Sequence, residues 1–269
     1  MKKHNLFLTL LVIFFGILMI SPVYFMVKIS ISQPQDIFTQ HPTFLIHNTT
    51  TKWWAWIFST KEVWAPFIKS LEVATLTALF SLAIAVPGSY AISRLPPRVR
   101  YPLVLGLFFT RMFPEVGIAL PISVNFIKWG LLDSVLGLVI AHMIRILPLV
   151  TWILVGTFET VPKALEEASS IDGCSRLGTL RRIVIPLAAP GIAVGTIFAW
   201  LGSWEEFTYA VYLTLAERTL PLQVFYYINR GNWFLTATYA TLTAIPVIII
   251  TYAMQKYLRA GYMAGAVKG

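Results

Sequence analysis

Six apolar runs, at about residues 6–27, 71–93, 102–125, 135–157, 190–212 and 236–256, constrain this chain more than any other feature. Each holds roughly 20 residues or more, and a helix rising about 1.5 Å per residue then crosses a hydrocarbon core about 30 Å thick. The expected fold is an all-α membrane protein with six transmembrane helices. Pro114, Pro121 and Pro148 interrupt the third and fourth runs. Prolines at that depth are tolerated where neighbouring helices or water satisfy the freed backbone groups, which points to a packed bundle around a cavity.

Composition agrees with the runs. Hydrophobic residues make up 57% of the chain and charged ones 12%, against about 25% charged in soluble domains. The net charge of +9 does not mark a nucleic-acid binder, because the basic residues are not gathered on one face. A single cysteine, Cys174, excludes an internal disulfide and a Cys-based zinc site, and a small apolar slot is expected for it. The first run follows Lys2 and Lys3 as a signal peptide would. Its apolar part is too long for one and no A-x-A site follows, so a retained helix is expected.

The basic residues orient the bundle. With the N-terminus inside, the cytoplasmic side carries Lys2, Lys3, Arg94, Arg98, Arg100, Lys163, Arg176, Arg181, Arg182, Lys256, Arg259 and Lys268. The outer side carries Lys28, Lys52, Lys61, Lys69, Lys128, Arg218 and Arg230. Twelve against seven puts both termini and the 158–189 loop in the cytoplasm. The outer segment from about 28 to 69 contains Trp53, Trp54, Trp56 and Trp64. Tryptophan favours the membrane interface, so a short surface helix is expected there, with docking of an external partner as the alternative. His41 and His47 lie in the same segment without a set of metal ligands around them.

Between the fourth and fifth runs lies a charged, amphipathic loop, 158–189, that a simple anchor has no use for. It reads as helix, sharp turn, helix. Pro162 suits a first helical turn, and Leu165, Ala168 and Ile171 share one face while Lys163, Glu166 and Glu167 stay polar. Gly173 can take the left-handed conformation that ends a helix. Ser175 suits the N-cap of the next segment, which is expected to end at Pro186.

Charges also fall inside the runs. Arg111 and Glu115 are spaced to pair on one helical face of the third run, and His142 and Arg145 lie in the fourth. Glu205 and Glu206 sit in the fifth beside Trp200, Trp204 and Tyr209. Ionisable groups at membrane depth face a cavity or one another. One reading is therefore a polar translocation pathway in which these groups meet substrate; the other is mutual neutralisation that holds helices together. Gly191 and Gly195 form a small-xxx-small pair that implies close contact with a neighbouring helix. No G-x-x-x-x-G-K-[ST], H-E-x-x-H or G-x-S-x-G motif is present, so neither an ATPase site nor a membrane hydrolase is indicated.

Glu167-Ala168-Ser169-Ser170-Ile171-Asp172-Gly173, followed by Ile183-Val184-Ile185-Pro186, resembles the coupling loop of ABC-importer permeases, E-A-A-x-x-x-G and then I-x-L-P. Met112-Phe113-Pro114, Leu120-Pro121, Gly130-Leu131-Leu132-Asp133-Ser134, Gly137, Pro148, Phe158 and Trp204-Glu205-Glu206-Phe207 are similar to segments of the carbohydrate-importer type. The tail Ala264-Gly265-Ala266-Val267-Lys268-Gly269 is similar to that of the six-span permease subunit of maltose importers. The resemblance covers about residues 70–269. It departs at Ser169 and Cys174, where the family has Ala, and at Glu205, where it more often has Asn.

The resemblance implies a type I ABC-importer transmembrane domain with a cytoplasmic coupling helix, in a bacterial inner membrane. Glu166, Glu167, Ala168, Asp172, Gly173 and Pro186 would then belong to the coupling element, and Arg111, Glu115, His142, Arg145, Trp200, Trp204, Glu205, Glu206 and Tyr209 to the substrate pathway. The implied partners are a second permease subunit, two ATPase subunits that hold ATP and Mg, an external solute-binding protein and a sugar or polyol. No cofactor is implied on this chain itself. The implied organisation is 1–69 as first helix and outer segment, 70–260 as core, and 261–269 as cytoplasmic tail. Rival readings are a permease of the same machinery for a phosphorylated polyol, peptide or amino acid, an ion-driven secondary transporter, which would commonly show internal repeats, and a non-transporting membrane scaffold or enzyme.

Overall fold

The computed structural model describes residues 2–60 and 62–266, with side chains described over 6–60 and 62–255. Its helices run in chain order as α1 (Lys2–Ser30), α2 (Pro34–Ile37), α3 (Lys52–Ser59), α4 (Trp64–Ser93), α5 (Pro97–Phe109) and α6 (Glu115–Lys128). They continue as α7 (Val135–Glu159), α8 (Lys163–Ile171), α9 (Arg176–Thr179), α10 (Ile185–Trp204), α11 (Thr208–Leu213), α12 (Leu220–Asn229) and α13 (Trp233–Ala266). The tail beyond Ala266 lies outside the described residues, as do the side chains of Lys2, Lys3, Lys61, Lys256 and Arg259.

Among the described residues, five helices are long and apolar enough to cross a membrane, and a bent pair makes a sixth crossing if it serves as one span. That pair corrects the third expected span. Instead of one helix over 102–125, α5 passes through a 3₁₀ turn at Thr110–Met112 and then breaks, and α6 departs at 85°. The break sits at Phe113-Pro114, where Phe113 is extended at φ −72°, ψ 133°, the conformation toward which a following proline ring biases the residue before it. Pro121 and Pro148, by contrast, are carried inside continuous helices.

The fifth span is corrected too. It begins at Arg176 and ends at Trp204, rather than covering 190–212. Pro186 does not end the segment that Ser175 opens. A π turn at Leu180–Val184 precedes it, and the helix continues through α10. Widening the turn there accommodates a residue that has no N–H and crowds the carbonyl four positions back.

The chain folds as two compact units. The first comprises the residues up to Phe67 with Leu220–Pro246. Its core is aromatic: Trp53 of α3 stacks on Phe234 at 4.8 Å, Phe38 meets the same ring edge-on, and Tyr227 stacks on Tyr239 at 5.3 Å. Trp53 Nε1 donates to the Ser32 carbonyl at 3.0 Å and Tyr227 donates to Glu62 Oε2 at 2.7 Å. The expected short helix over the tryptophans is therefore present, but Trp53, Trp54 and Trp56 are half-buried in protein, while Trp64 is exposed.

The second unit comprises Ile68–Thr219 and the chain from Val247. Its centre is α7 packed on α10. Gly191 and Gly195 make that approach possible, as the small-xxx-small spacing implied: a Cβ at Gly191 would lie 2.2 Å from Thr157, and one at Gly195 would touch Leu154 and Val150. Leu138, Val150, Leu154 and Phe158 of α7 are fully buried here.

At one end of this unit Asp133 closes a clamp. It adopts φ +56°, a left-handed conformation that Asp tolerates better than most residues. Its N–H donates to Leu213 O at 2.8 Å, and its carboxylate accepts from Leu215 N and Ala216 N at 2.9 and 3.2 Å. Lys69 lies 3.7 Å from the same carboxylate and donates to Glu217 O at 2.8 Å. These bonds, Leu215 first, hold the Asp133 carboxyl below its ordinary range.

Candidate functional site

Three groups of side chains, all within the second unit, carry the chemistry. The first lies at the base of the charged loop. Gly173 has φ +82°, so it ends α8 in the left-handed conformation expected of it. Ser175 Oγ accepts from Gly178 N at 3.2 Å and caps α9, also as expected. Helix α8 begins at Lys163, with Pro162 at its cap rather than inside its first turn.

The polar face divides in a way the sequence pattern does not show. Glu166 turns inward, where Arg94 Nε donates to its Oε1 at 2.8 Å and Tyr90 donates to its Oε2 at 2.7 Å. Arg94 also donates through Nη1 to Phe158 O at 2.9 Å, and Arg100 forms an ion pair with Glu159. Ser169, also buried, shares a hydrogen bond of 2.9 Å with Thr179. The small-for-small exchange at Ser169 thus adds a bond between α8 and α9. Glu167, Ala168 and Asp172 remain exposed, together with an apolar edge of Leu165, Leu177 and Ile171, the last 86% exposed. Cys174 is half-buried.

Tyr90, Arg94, Arg100 and Glu159 form this base, yet Tyr90 and Glu159 carried no sequence signal and the two arginines counted only toward orientation. A Lys/Arg tally records where a charge lies along the chain, not which carboxylate it meets. Their clustering at the ends of α4 and α7 and the start of α5 was the available clue.

The second group lies at the break of the third span. Arg111 and Glu115 do not pair on one helical face, since the break at Phe113-Pro114 separates them onto different elements. Glu115 instead meets Arg145 of α7, Oε1 to Nε at 3.0 Å. Arg111 lies over the Phe108 ring at 6.0 Å. A small cavity joins Arg111, Phe113, Glu115, Ile144, Arg145 and Tyr209. Four expected pathway residues, Arg111, Glu115, Arg145 and Tyr209, are therefore brought together.

The third group is enclosed. His142 and Glu206, each 1% exposed, meet at 3.1 Å between Nε2 and Oε2. His142 Nδ1 lies 2.7 Å from Ser203 Oγ. Glu206 accepts from Tyr209 N at 2.8 Å and Ala210 N at 3.2 Å, satisfying donors that the start of α11 leaves over. This is why α10 stops at Trp204: the chain leaves helical geometry so that Glu206 can cap the next helix. Trp200 and Trp204 stack on each other at 4.8 Å and are buried, whereas Glu205 is exposed.

Residues 5–263 match the family described as "Binding-protein-dependent transport system inner membrane component".

The chain belongs to that family.

This permease chain is 30% identical to the diacetylchitobiose uptake system permease protein DasC of Streptomyces coelicolor, over 97% of its own length and 95% of the relative's. It is 28% identical to the trehalose/maltose transport system permease protein MalG of Thermococcus litoralis, over 86% of its length and 88% of the relative's. Among solved structures, a chain of a bacterial ABC transporter involved in import of the acidic polysaccharide alginate matches with a TM-score of 0.79 at 24% identity, covering 95% of this permease and 96% of that chain. That likeness shows the fold of an ABC-importer transmembrane domain.

Proposed function

We propose that this permease forms half of a translocation pathway for a sugar or related polyol and receives its driving force through α8. A second permease would supply the other half, and an external binding protein would deliver the solute. Two ATPase subunits would bind ATP and Mg and carry out hydrolysis. Both termini and the 158–189 loop would lie on the cytoplasmic side, in line with the Lys and Arg bias. The sugar assignment draws on permeases such as DasC and MalG, whose names specify saccharides.

The observation that carries the coupling role is the two-sided character of α8. Its inward side is tied through Glu166 to Arg94 and Tyr90. Its outward side presents Leu165, Glu167, Ala168 and Ile171. A rod fixed to the spans and open on its far side transmits displacement in place of absorbing it. ATP-driven closure of the ATPase pair would push that rod, rock the spans and alternate exposure of a cavity bordered by Arg111, Glu115, Arg145 and Tyr209. His142, Trp200, Trp204, Glu205 and Glu206 would shape the pathway around it, and the segment 261–269 would extend as a cytoplasmic tail.

Copurification tests this reading. The intact chain should retain an ATPase subunit from membranes of cells expressing the whole system, Glu167→Ala should weaken that association, and Gly173→Pro should abolish it. Sugar uptake driven by an ion gradient and indifferent to ATP would overturn the proposal.

A further inference from the structure

We infer that the solute carried by this permease is an acidic saccharide, whose carboxylate is received by Arg111 at the break of the third span. This rests on the saccharide-permease reading and narrows it to a substrate class.

The charge count in the cavity carries the inference. Two guanidinium groups, Arg111 and Arg145, border it with one carboxylate, Glu115. Glu115 is committed to Arg145 at 3.0 Å. Arg111 forms no ion pair among the described residues; its described contact is the Phe108 ring. One positive charge is therefore left over inside an otherwise apolar stretch, flanked by Leu105, Leu107, Phe108 and Phe109 on one side and Val116, Ile118 and Leu120 on the other. Arginines at such depth face a cavity or a partner charge.

Position supports the same conclusion. Arg111 stands on the 3₁₀ turn before the 85° bend. Irregular backbone at membrane depth is tolerated where protein buries it or where it lines a water-filled cavity. A guanidinium fork matches a carboxylate with two parallel hydrogen bonds. With a neutral solute, Arg111 would find no counter-charge among the described residues of this chain.

The test uses the complete importer with its second permease, ATPases and binding protein, reconstituted in liposomes with and without anionic lipid. The probes are the disaccharides of galacturonate, glucuronate and mannuronate, each beside its neutral counterpart, with uptake and ATP hydrolysis measured together. The expected result is ATP-dependent uptake of at least one uronate over its neutral counterpart. Arg111→Gln should lower uronate uptake about tenfold or more with the complex intact, and Arg111→Lys should fall between. Transport of neutral sugars alone, or equal losses for both classes in Arg111→Gln, would overturn the inference and leave the importer reading standing. Dissociation of the second permease in Arg111→Gln would overturn it by assigning Arg111 to a partner carboxylate. Dependence of Arg111 on anionic lipid, with no dependence on sugar charge, would overturn it in favour of a headgroup. An assembled, ATP-hydrolysing complex that moves no saccharide of either class would sink the saccharide reading itself.

Discussion

Arg94, at the end of α4, holds Glu166 of α8 through its Nε at 2.8 Å, so the charged elbow is tied to a membrane span by a side-chain bond as well as by the chain itself. Tyr90 donates to the other carboxylate oxygen. Both charged partners are largely shielded, with side-chain exposures of 18% and 15%. Removing one partner leaves the other short of compensation.

Glu166→Ala should therefore uncouple the importer without dissolving it. ATPase subunits should still copurify, while sugar moved per ATP hydrolysed falls several-fold. The charge exchange Arg94→Glu with Glu166→Arg should restore part of that ratio, and either single exchange should be worse than Glu166→Ala. Simultaneous uptake and phosphate-release measurements decide the matter.

Gly173 should rank its replacements by tolerance of positive φ. No atom lies within 4 Å of a built Cβ, so crowding plays no part, and φ +82° sets the cost. Left-handed geometry costs an ordinary L-residue about 1–2 kcal/mol, and Asn suffers least. Complex yield should fall in the order Gly, Asn, Ala, Val, and an equal yield for Val and Asn would exclude backbone strain as the reason for glycine.

Gly191→Ala should destabilise the second unit by about 1–3 kcal/mol, the usual range for forcing extra volume into a packed site. The new Cβ would meet Thr157 Cγ2 and Oγ1 at 2.2 Å and its Cβ at 2.7 Å, so rotation of the threonine cannot clear the clash. Adding Thr157→Ala should recover part of the loss. Thermal unfolding in detergent reads both changes.

Glu206→Ala should reduce folded yield, while Glu205→Gln leaves it nearly unchanged. Glu206 satisfies the N–H groups of Tyr209 and Ala210 and faces His142 in a buried setting. Each buried group left unsatisfied costs about 1–3 kcal/mol. Glu205 is exposed and carries no such duty. Fluorescence-detected size exclusion of the two variants separates them.

Asp133 should make the clamp acid-sensitive. Its carboxyl lies below the ordinary value because Leu215 and Ala216 donate to it and Lys69 stands nearby. A depressed folded value means that the contribution is fully present above the unfolded value of about 3.9 and is lost as pH falls through the folded one. Stability should thus show no Asp133 contribution to its pH dependence between about pH 5 and 8, and should drop below about pH 4. In Asp133→Asn that acid-side drop should be smaller, as measured by unfolding midpoints across pH 3–6.

The local signals held where one stretch of chain decides its own conformation. Gly173 needed positive φ, Ser175 offered a cap, and Gly191 with Gly195 asked for a close neighbour; the fold supplies each. The failures occur where two distant segments compete for one group. Glu115 had Arg111 four residues away and took Arg145 instead, because Pro114 turned the helix between them. Glu166 shared the polar face of its helix with Glu167, yet it alone found Arg94. Pro186 looked like an end and became a π-widened passage, because the apolar run beyond it continues the helix into the membrane.

By itself, then, the sequence determined the class of fold, since long and predominantly apolar runs have no stable place outside a bilayer, and it determined the turn and caps of the elbow, since backbone preferences are local. Only the tertiary structure decided which charges meet and which stay open. Ion pairing at membrane depth is settled by the approach of helices far apart in sequence, and here that approach pairs Glu115 with Arg145 while Arg111 stays without an ion pair among the described residues.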